Sequence, residues 1–311
     1  MPVGNNDIFE RDPQRGRIIA ALAAVYLSWG STYLMIRIAL AELPPLFLMG
    51  IRFFLFGIGI YAYLRLRGVP NPSVREWLWS AVIGVFLMLG GSAGVAYAEQ
   101  WVSSGLAALA IATTPLWTVL FAGIWKRWPN RLEWAGLLVG LAGIVALNLE
   151  GDLRSSPRGA ILLILAAMTW AFGSAWSQHL KLPRGMMAGA AQMITGGAIV
   201  LFVSFVIGER MTAVPTWRSI SAVLYLGIVG SLVGFTAYVY LLGRVRPALA
   251  TSYAYVNPII AVLLGMWVLG ERIHRAGMIA MVIILTGVVL VMLGQLRYRE
   301  KNSSPLEGEV R

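Results

Sequence analysis

A chain of 311 residues that is 58% apolar and only 13% charged cannot cover a core with a water-soluble surface, so lipid must lie against much of its outside. With no cysteine and two histidines, it has no disulfide framework, no thiolate metal site and little for an imidazole cluster. The net charge of +11 sits in short loops between apolar runs, which is the distribution of membrane-orientation signals and not of a nucleic-acid-binding face.

Residues 1–16 are polar, carry Asp7, Glu10 and Asp12 beside arginines, and show no convincing cleavage site. They read as a soluble tail. Crossing roughly 30 Å of hydrocarbon takes about 20 apolar residues, and ten runs of about that length follow: 17–40, 44–66, 75–98, 103–125, 132–149, 158–180, 186–208, 217–242, 247–269 and 276–295. The fifth and tenth are plain enough to be peripheral supports. The final stretch, 296–311, is polar and reads as a disordered tail. The predicted fold class is therefore an all-α integral membrane protein of ten transmembrane helices.

Counting Lys and Arg in alternate loops gives seventeen on the side of the N-terminal tail and six on the other. The positive-inside bias puts both termini in the cytoplasm. Sliding the chain by 143 positions aligns Gly84 with Gly227, Gly91 with Gly234, Tyr97 with Tyr240, Pro115 with Pro258 and Val119-Leu120 with Val262-Leu263, while Trp29 pairs with Trp170 at a nearby offset. Two halves, 17–149 and 158–295, follow from this. Five spans is an odd number, so the second half enters the membrane inverted, and a substrate site is expected near the midplane between the halves.

The run Ser28-Trp29-Gly30-Ser31, the pair Arg52-Phe53, and Thr114-Pro115 and Asn257-Pro258 in corresponding spans together resemble the EamA-type members of the drug/metabolite transporter (DMT) superfamily. Residues Asn257 to Glu271 are the most family-like piece. The abundance of Trp and Tyr is similar to the YddG-type amino-acid exporters of that superfamily. The resemblance implies two EamA-like five-helix repeats, alternating access, and efflux across a bacterial-type cytoplasmic (inner) membrane.

Proline inside a helix removes a backbone hydrogen bond and crowds the preceding turn, so Pro115 and Pro258 should kink their spans and free the carbonyls of Ile111 and Ala254. Such breaks are tolerated where protein or a wet cavity satisfies them. Residues four apart share a helix face, which pairs Trp29 with Tyr33, Thr113 with Trp117, Trp170 with Ser174 and Tyr253 with Asn257. With Tyr238, one turn beyond Gly234, these are the candidate substrate-binding residues, an aromatic lining with a few polar groups. For any one of them, packing or interfacial anchoring is the plainer role. Trp77, Trp79, Trp101, Trp125, Trp128 and Trp217 lie near span ends and read as anchors. Gly84, Gly91 and Gly94, with Gly227, Gly230 and Gly234, allow close helix approach.

Arg52 lies eight residues into its span, roughly 12 Å deep at the helical rise, and aligns with Gln192. A structural role bonding backbone at a helix break competes there with capture of a substrate carboxylate. Arg37 is expected to snorkel outward or meet Glu42 or Glu99. No Asp or Glu falls near the middle of a span, which favours uniport or exchange over proton-driven pumping; Glu99 and His179, near span ends, keep proton coupling open as the alternative, although interfacial polar residues are their simpler reading. An enzyme would need paired carboxylates, an activated nucleophile or metal ligands inside the spans, and no Walker-type loop offers ATP binding. The expected function is a cofactor-free secondary carrier in the lipid bilayer whose partners are small molecules, amino acids or related metabolites foremost. The alternative cargo is drugs, organic cations or other metabolites. The sequence leaves oligomeric state open.

Overall fold

A computed structural model describes residues 13–125, 128–147, 156–211, 214–242 and 253–303. The described residues are helical throughout, without a strand, as a chain must be when lipid offers its backbone no hydrogen bonds. Ten helical runs follow one another: α1 (Pro13–Ala39), α2 (Pro45–Leu66), α3 (Val74–Ala98), α4 (Ser104–Trp125), α5 (Arg131–Leu147), α6 (Pro157–Ser177), α7 (Met186–Val206), α8 (Trp217–Tyr225, continued by Leu226–Val233 and Gly234–Leu242), α9 (Tyr253–Leu269) and α10 (Arg275–Ser303). Seven runs contain segments long and apolar enough to cross a bilayer, and the apolar parts of α9 and α10, Val256–Leu269 and Arg275–Val291, are shorter. Helix α10 continues to Ser303, so the expected tail at 296 begins as helix. The first twelve residues and 304–311 lie outside the described residues, as does the expected start of the ninth span at 247.

Two runs are widened in the middle. Helix α3 passes through a π-helical stretch at Val85–Ala93 and α8 through another at Leu226–Val233. A π turn offsets the regular backbone pairing and often marks a functional position. In α8 side chains meet the displaced carbonyls: Ser231 Oγ donates to Leu226 O at 3.3 Å, and the Trp29 indole Nε1 donates to Gly230 O at 2.9 Å.

Helix α2 packs along α7 and α5 along α10, while α1 packs on α9 and α8, and α6 on α4 and α3. One apolar core joins α3, α4, α5, α6 and α10, and a second joins α1, α2, α3, α7 and α8. Small residues set the closest approaches. A Cβ at Gly287 of α10 would lie 2.5 Å from the backbone nitrogen of Gly140 in α5.

At the end of the bundle formed by the α1–α2, α3–α4, α7–α8 and α9–α10 connections, loop carboxylates cap helices they are not part of. Glu209 accepts from the amides of Leu46 and Phe47 at 3.2 and 2.8 Å and from Ser204 Oγ. Glu271 accepts from Ser104 N, Ser104 Oγ and Gly105 N. Glu42 accepts from Thr216 Oγ1 and N, which holds its carboxyl below the usual carboxylate range. Each acid meets unpaired N–H groups at the positive end of a helix. On the opposite end, Ser73 and Glu76 form a capping box at the start of α3.

Two substitutions probe this scaffold. Gly287→Ala forces a methyl group against main chain that no rotamer change can move, so it should cost about 1–3 kcal/mol by overpacking and lower the thermal midpoint of the purified protein. Glu209→Ala removes the acceptor for two amides of α2 and should cost about 1 kcal/mol, with Glu209→Gln retaining part of the loss in the same melting experiment.

Candidate functional site

Three of the residues expected to line the substrate path form one cluster. Trp29 of α1 lies 5.2 Å from Tyr238 of α8 and 4.6 Å, edge-on, from Tyr253 of α9, and the two tyrosine rings are 5.8 Å apart. All three rings are half-buried. The cluster is positioned by the π stretch of α8: Trp29 lies over Gly234, where a Cβ would come within 2.6 Å of its Nε1, and it donates to Gly230 O one turn earlier. Ser31, two residues on, shares a 2.8 Å hydrogen bond with Tyr225 OH just before the π stretch.

Trp170 of α6 makes the corresponding contact on the other widened helix. A Cβ at Gly91 would lie 2.7 Å from Trp170 Cε3, so this indole too covers a glycine in or beside a π segment. Its partner on the α6 face, Ser174, is half-buried, and its main-chain carbonyl accepts from Ser177 Oγ at 2.7 Å. Thr113 and Trp117 of α4 bond each other, Nε1 to Oγ1 at 3.2 Å, and Thr113 Oγ1 donates to Ala110 O. Tyr33 is half-buried against the core of α3–α6 and α10. Asn257 of α9 is buried, and its Oδ1 has no donor among the described residues.

The two prolines behave differently. Helix α4 breaks: Ser104–Ile111 ends, and a new helix begins at Thr114 with Pro115 in its first turn. Thr114 Oγ1 donates to the Ile111 carbonyl at 2.6 Å, filling the vacancy that the proline creates. Pro258 instead sits inside the continuous helix Tyr253–Leu269, with only five residues of described helix before it.

Arg52 is buried. Its Nε donates to Ser231 Oγ at 3.2 Å, its Nη1 approaches Met49 Sδ at 4.0 Å, and its guanidinium carbon lies 4.9 Å from the centre of the Phe53 ring. The guanidinium therefore engages a side chain of the π stretch, not an open carbonyl. Of the two partners expected for Arg37 it meets Glu99, through the main chain: its Nη1 donates to the main-chain oxygen of Glu99, while Glu42 is engaged with Thr216.

A second aromatic group lies among α3, α4 and α6. Phe172 sits 5.2 Å from Phe86, 5.5 Å from Phe121 and 5.6 Å from Trp176, and Trp125 stacks on His179 at 4.7 Å and 10°. Trp79, also expected as an interfacial anchor, lies 6.2 Å from Trp176. Trp125 and Trp79 thus pack within an aromatic cluster. Phenylalanines carry no polar partner at helical spacing, so the face-pairing argument passed over them. Mapping the α1–α8–α9 cluster through the 143-residue shift would have pointed to α6, α3 and α4.

Residues 16–149 and 157–293 each match the family model described as the EamA-like transporter family. The uncharacterized inner membrane transporter YedA of Escherichia coli (strain K12) is 44% identical over 91% of this chain and 93% of its own length. Protein PecM of Dickeya dadantii is 26% identical over 90% of this chain and 93% of its own length, and protein PagO of Salmonella typhimurium 25% over 87% and 91%. A solved structure described only as the crystal structure of a protein superposes with a TM-score of 0.63 at 21% identity, over 89% of this chain and 98% of that one. Two matches to one family model, spanning most of the chain, and a relative of 44% identity over nearly its whole length lead to one conclusion: the chain belongs to the EamA-like transporter family.

Proposed function

We propose that this transporter exports small amphipathic metabolites, amino acids foremost, across a bacterial inner membrane by alternating access around a site lined by Trp29, Tyr33, Thr113, Trp117, Trp170, Ser174, Tyr238, Tyr253 and Asn257. The observation that carries the reading is the pair of indole-on-glycine contacts, Trp29 on Gly234 and Trp170 on Gly91. Residues aligned by the internal repeat make the same contact in two places, each at a π stretch. That supports two inverted five-helix halves, 17–149 and 158–295, with all ten runs crossing the bilayer. The two separate family matches and the exchange of packing partners, α1 with α8 and α9 against α6 with α3 and α4, point the same way.

Aromatic rings with a few polar groups suit a solute with an apolar body and polar ends. Asn257 supplies a buried amide oxygen that has no donor among the described residues, and a substrate ammonium or hydroxyl would serve it as one. Pro115 and Pro258 place the flexible points of α4 and α9 next to these residues. The inner-membrane location rests on the printed name of the E. coli relative, and cytoplasmic termini rest on the distribution of basic residues. Uniport or exchange needs no ionisable group at the midplane. The competing cargo, drugs or organic cations, would use the same rings through cation–π contacts, but the intramembrane arginines oppose a cation.

The test is counterflow of labelled amino acids in sealed proteoliposomes with no imposed proton gradient. Asn257→Ala and Trp170→Ala should each slow it by roughly tenfold, the loss of one contact worth about 1.4 kcal/mol, while circular dichroism shows the helices intact. Absence of counterflow for every amino acid, in vesicles that hold folded protein and transport an organic cation, would transfer the function to the competing cargo.

A further inference from the structure

Glu99 follows directly on the last residue of α3 and is completely buried, 0% exposed. Neither of its carboxylate oxygens has a hydrogen-bond partner among the described residues. The other acids at this end of the bundle, Glu42, Glu209 and Glu271, are each engaged by helix N-termini and hydroxyls. The Arg37 guanidinium donates to the main-chain carbonyl of Glu99. A carboxylate stripped of water and given no donor is a costly species. The neutral acid is the form that burial favours, and burial pushes the Glu99 carboxyl well above the usual carboxylate range against the opposing pull of Arg37.

A cavity of about 490 Å³ opens at the same end of the bundle, lined among others by Arg37, Trp101, Ser103, Arg218 and Glu271. Three of its wall residues, Trp101, Val102 and Ser103, follow Glu99 closely in the chain, and the buried Ser103 hydroxyl is also without a partner. This end of the bundle faces outward by the count of basic residues. On the inner side, Tyr33 lies one turn before Arg37 on α1 and packs against the core that includes Ala98, next to Glu99 in the chain. The charged or titratable groups facing Glu99 are Arg37 and Tyr33 of α1 and Glu271 after α9. Helix α7 carries no ionisable residue, Arg52 of α2 is turned to Ser231, and Arg158 at the start of α6 is exposed.

We propose that Glu99 is a proton-binding site, loaded through this outer cavity, and that the carrier exchanges its solute for a proton. The proposal rests on the alternating-access reading and changes its energetics from uniport or exchange of solute to the proton coupling that the sequence left open at Glu99. In the outward-open state water enters the cavity, a hydronium gives its proton to the Glu99 carboxylate, and an O–H bond forms. The neutral acid tolerates burial as the outer end closes. In the inward-open state the O–H bond breaks, the proton leaves by the Tyr33 side to water, and the carboxylate is held by Arg37, whose guanidinium leaves the Glu99 carbonyl for it.

Two measurements on the full-length protein in liposomes test this. Infrared spectra should show the carbonyl stretch of a protonated carboxylic acid at neutral pH, missing from Glu99→Gln and lost reversibly as the bath is made alkaline. No such band, or a band that never titrates, overturns the proton site whatever the cargo is. With a labelled amino acid that supports counterflow, an acidic exterior should shift the steady-state solute ratio about tenfold per pH unit, the value for one proton per solute. Glu99→Gln should abolish that shift and make the counterflow rate independent of pH. A shift that survives in Glu99→Gln, or that wild type never shows, overturns the coupling. Failure of every amino acid in counterflow sinks the amino-acid reading separately and leaves the infrared result to decide the site.

Discussion

Inside a bilayer no water completes a broken backbone pair, so every departure from regular α-helix must be met by another group of the protein. That one constraint accounts for most of the polar contacts in this chain. The π stretch of α8 displaces carbonyls, and the Trp29 indole and Ser231 hydroxyl take them up. The break in α4 frees the Ile111 carbonyl, and Thr114 closes it locally. At the loop end, Glu42, Glu209 and Glu271 meet the amides that helix starts leave unpaired. In each case a residue type that looks functional in a list also has a structural duty.

The same constraint explains why the candidate site lies where it does. Trp29 cannot donate to Gly230 and cover Gly234 unless α1 lies close along α8, and only glycine leaves room for an indole at that distance. The ring so held becomes the platform against which Tyr238 and Tyr253 pack. The cluster is thus assembled against a helix, α8, whose hydrogen bonding is already loosened. A π turn converts to an α turn by moving one residue through the helix, so loosened segments are places where a bundle can change shape without losing its pairing.

Hydropathy made the ten helical runs legible, most of them to within a few residues, because apolar length and polar breaks are set by the same hydrocarbon thickness that selects the fold. The expected division into halves was read from Gly, Trp and Pro, residue types that backbone approach and helix breaking demand, and two separate matches to one family model fall along the same division. The π stretches were not legible, since nothing in Val85–Ala93 or Leu226–Val233 departs from an ordinary apolar helix in pattern. Their positions depend on what α1 and α6 press against them. The rings of Phe86, Phe121 and Phe172 were missed for a related reason: their meeting is a property of three helices, and no single helix face records it. Arg37 meets Glu99, one of the two partners expected for it, but at the main-chain oxygen, a competitor that weighing charge against charge overlooks.

The two deeply buried ionisable groups near this site meet the cost of burial in opposite ways. Arg52 cannot lose its proton under any ordinary condition, so the fold must solvate the cation itself, with a hydroxyl, a sulfur and a ring face. Glu99 has another way out, because a carboxylic acid deprived of donors becomes neutral by taking up a proton. Its surroundings fit that alternative, since its oxygens are bare and the Arg37 guanidinium is engaged at the main chain. A group whose burial depends on a proton ties proton occupancy to whichever movement admits water. A group solvated by the fold itself does not. Position within the span, which made Arg52 the more conspicuous of the two in the sequence, is therefore a weaker guide to coupling than the partners a buried charge is given.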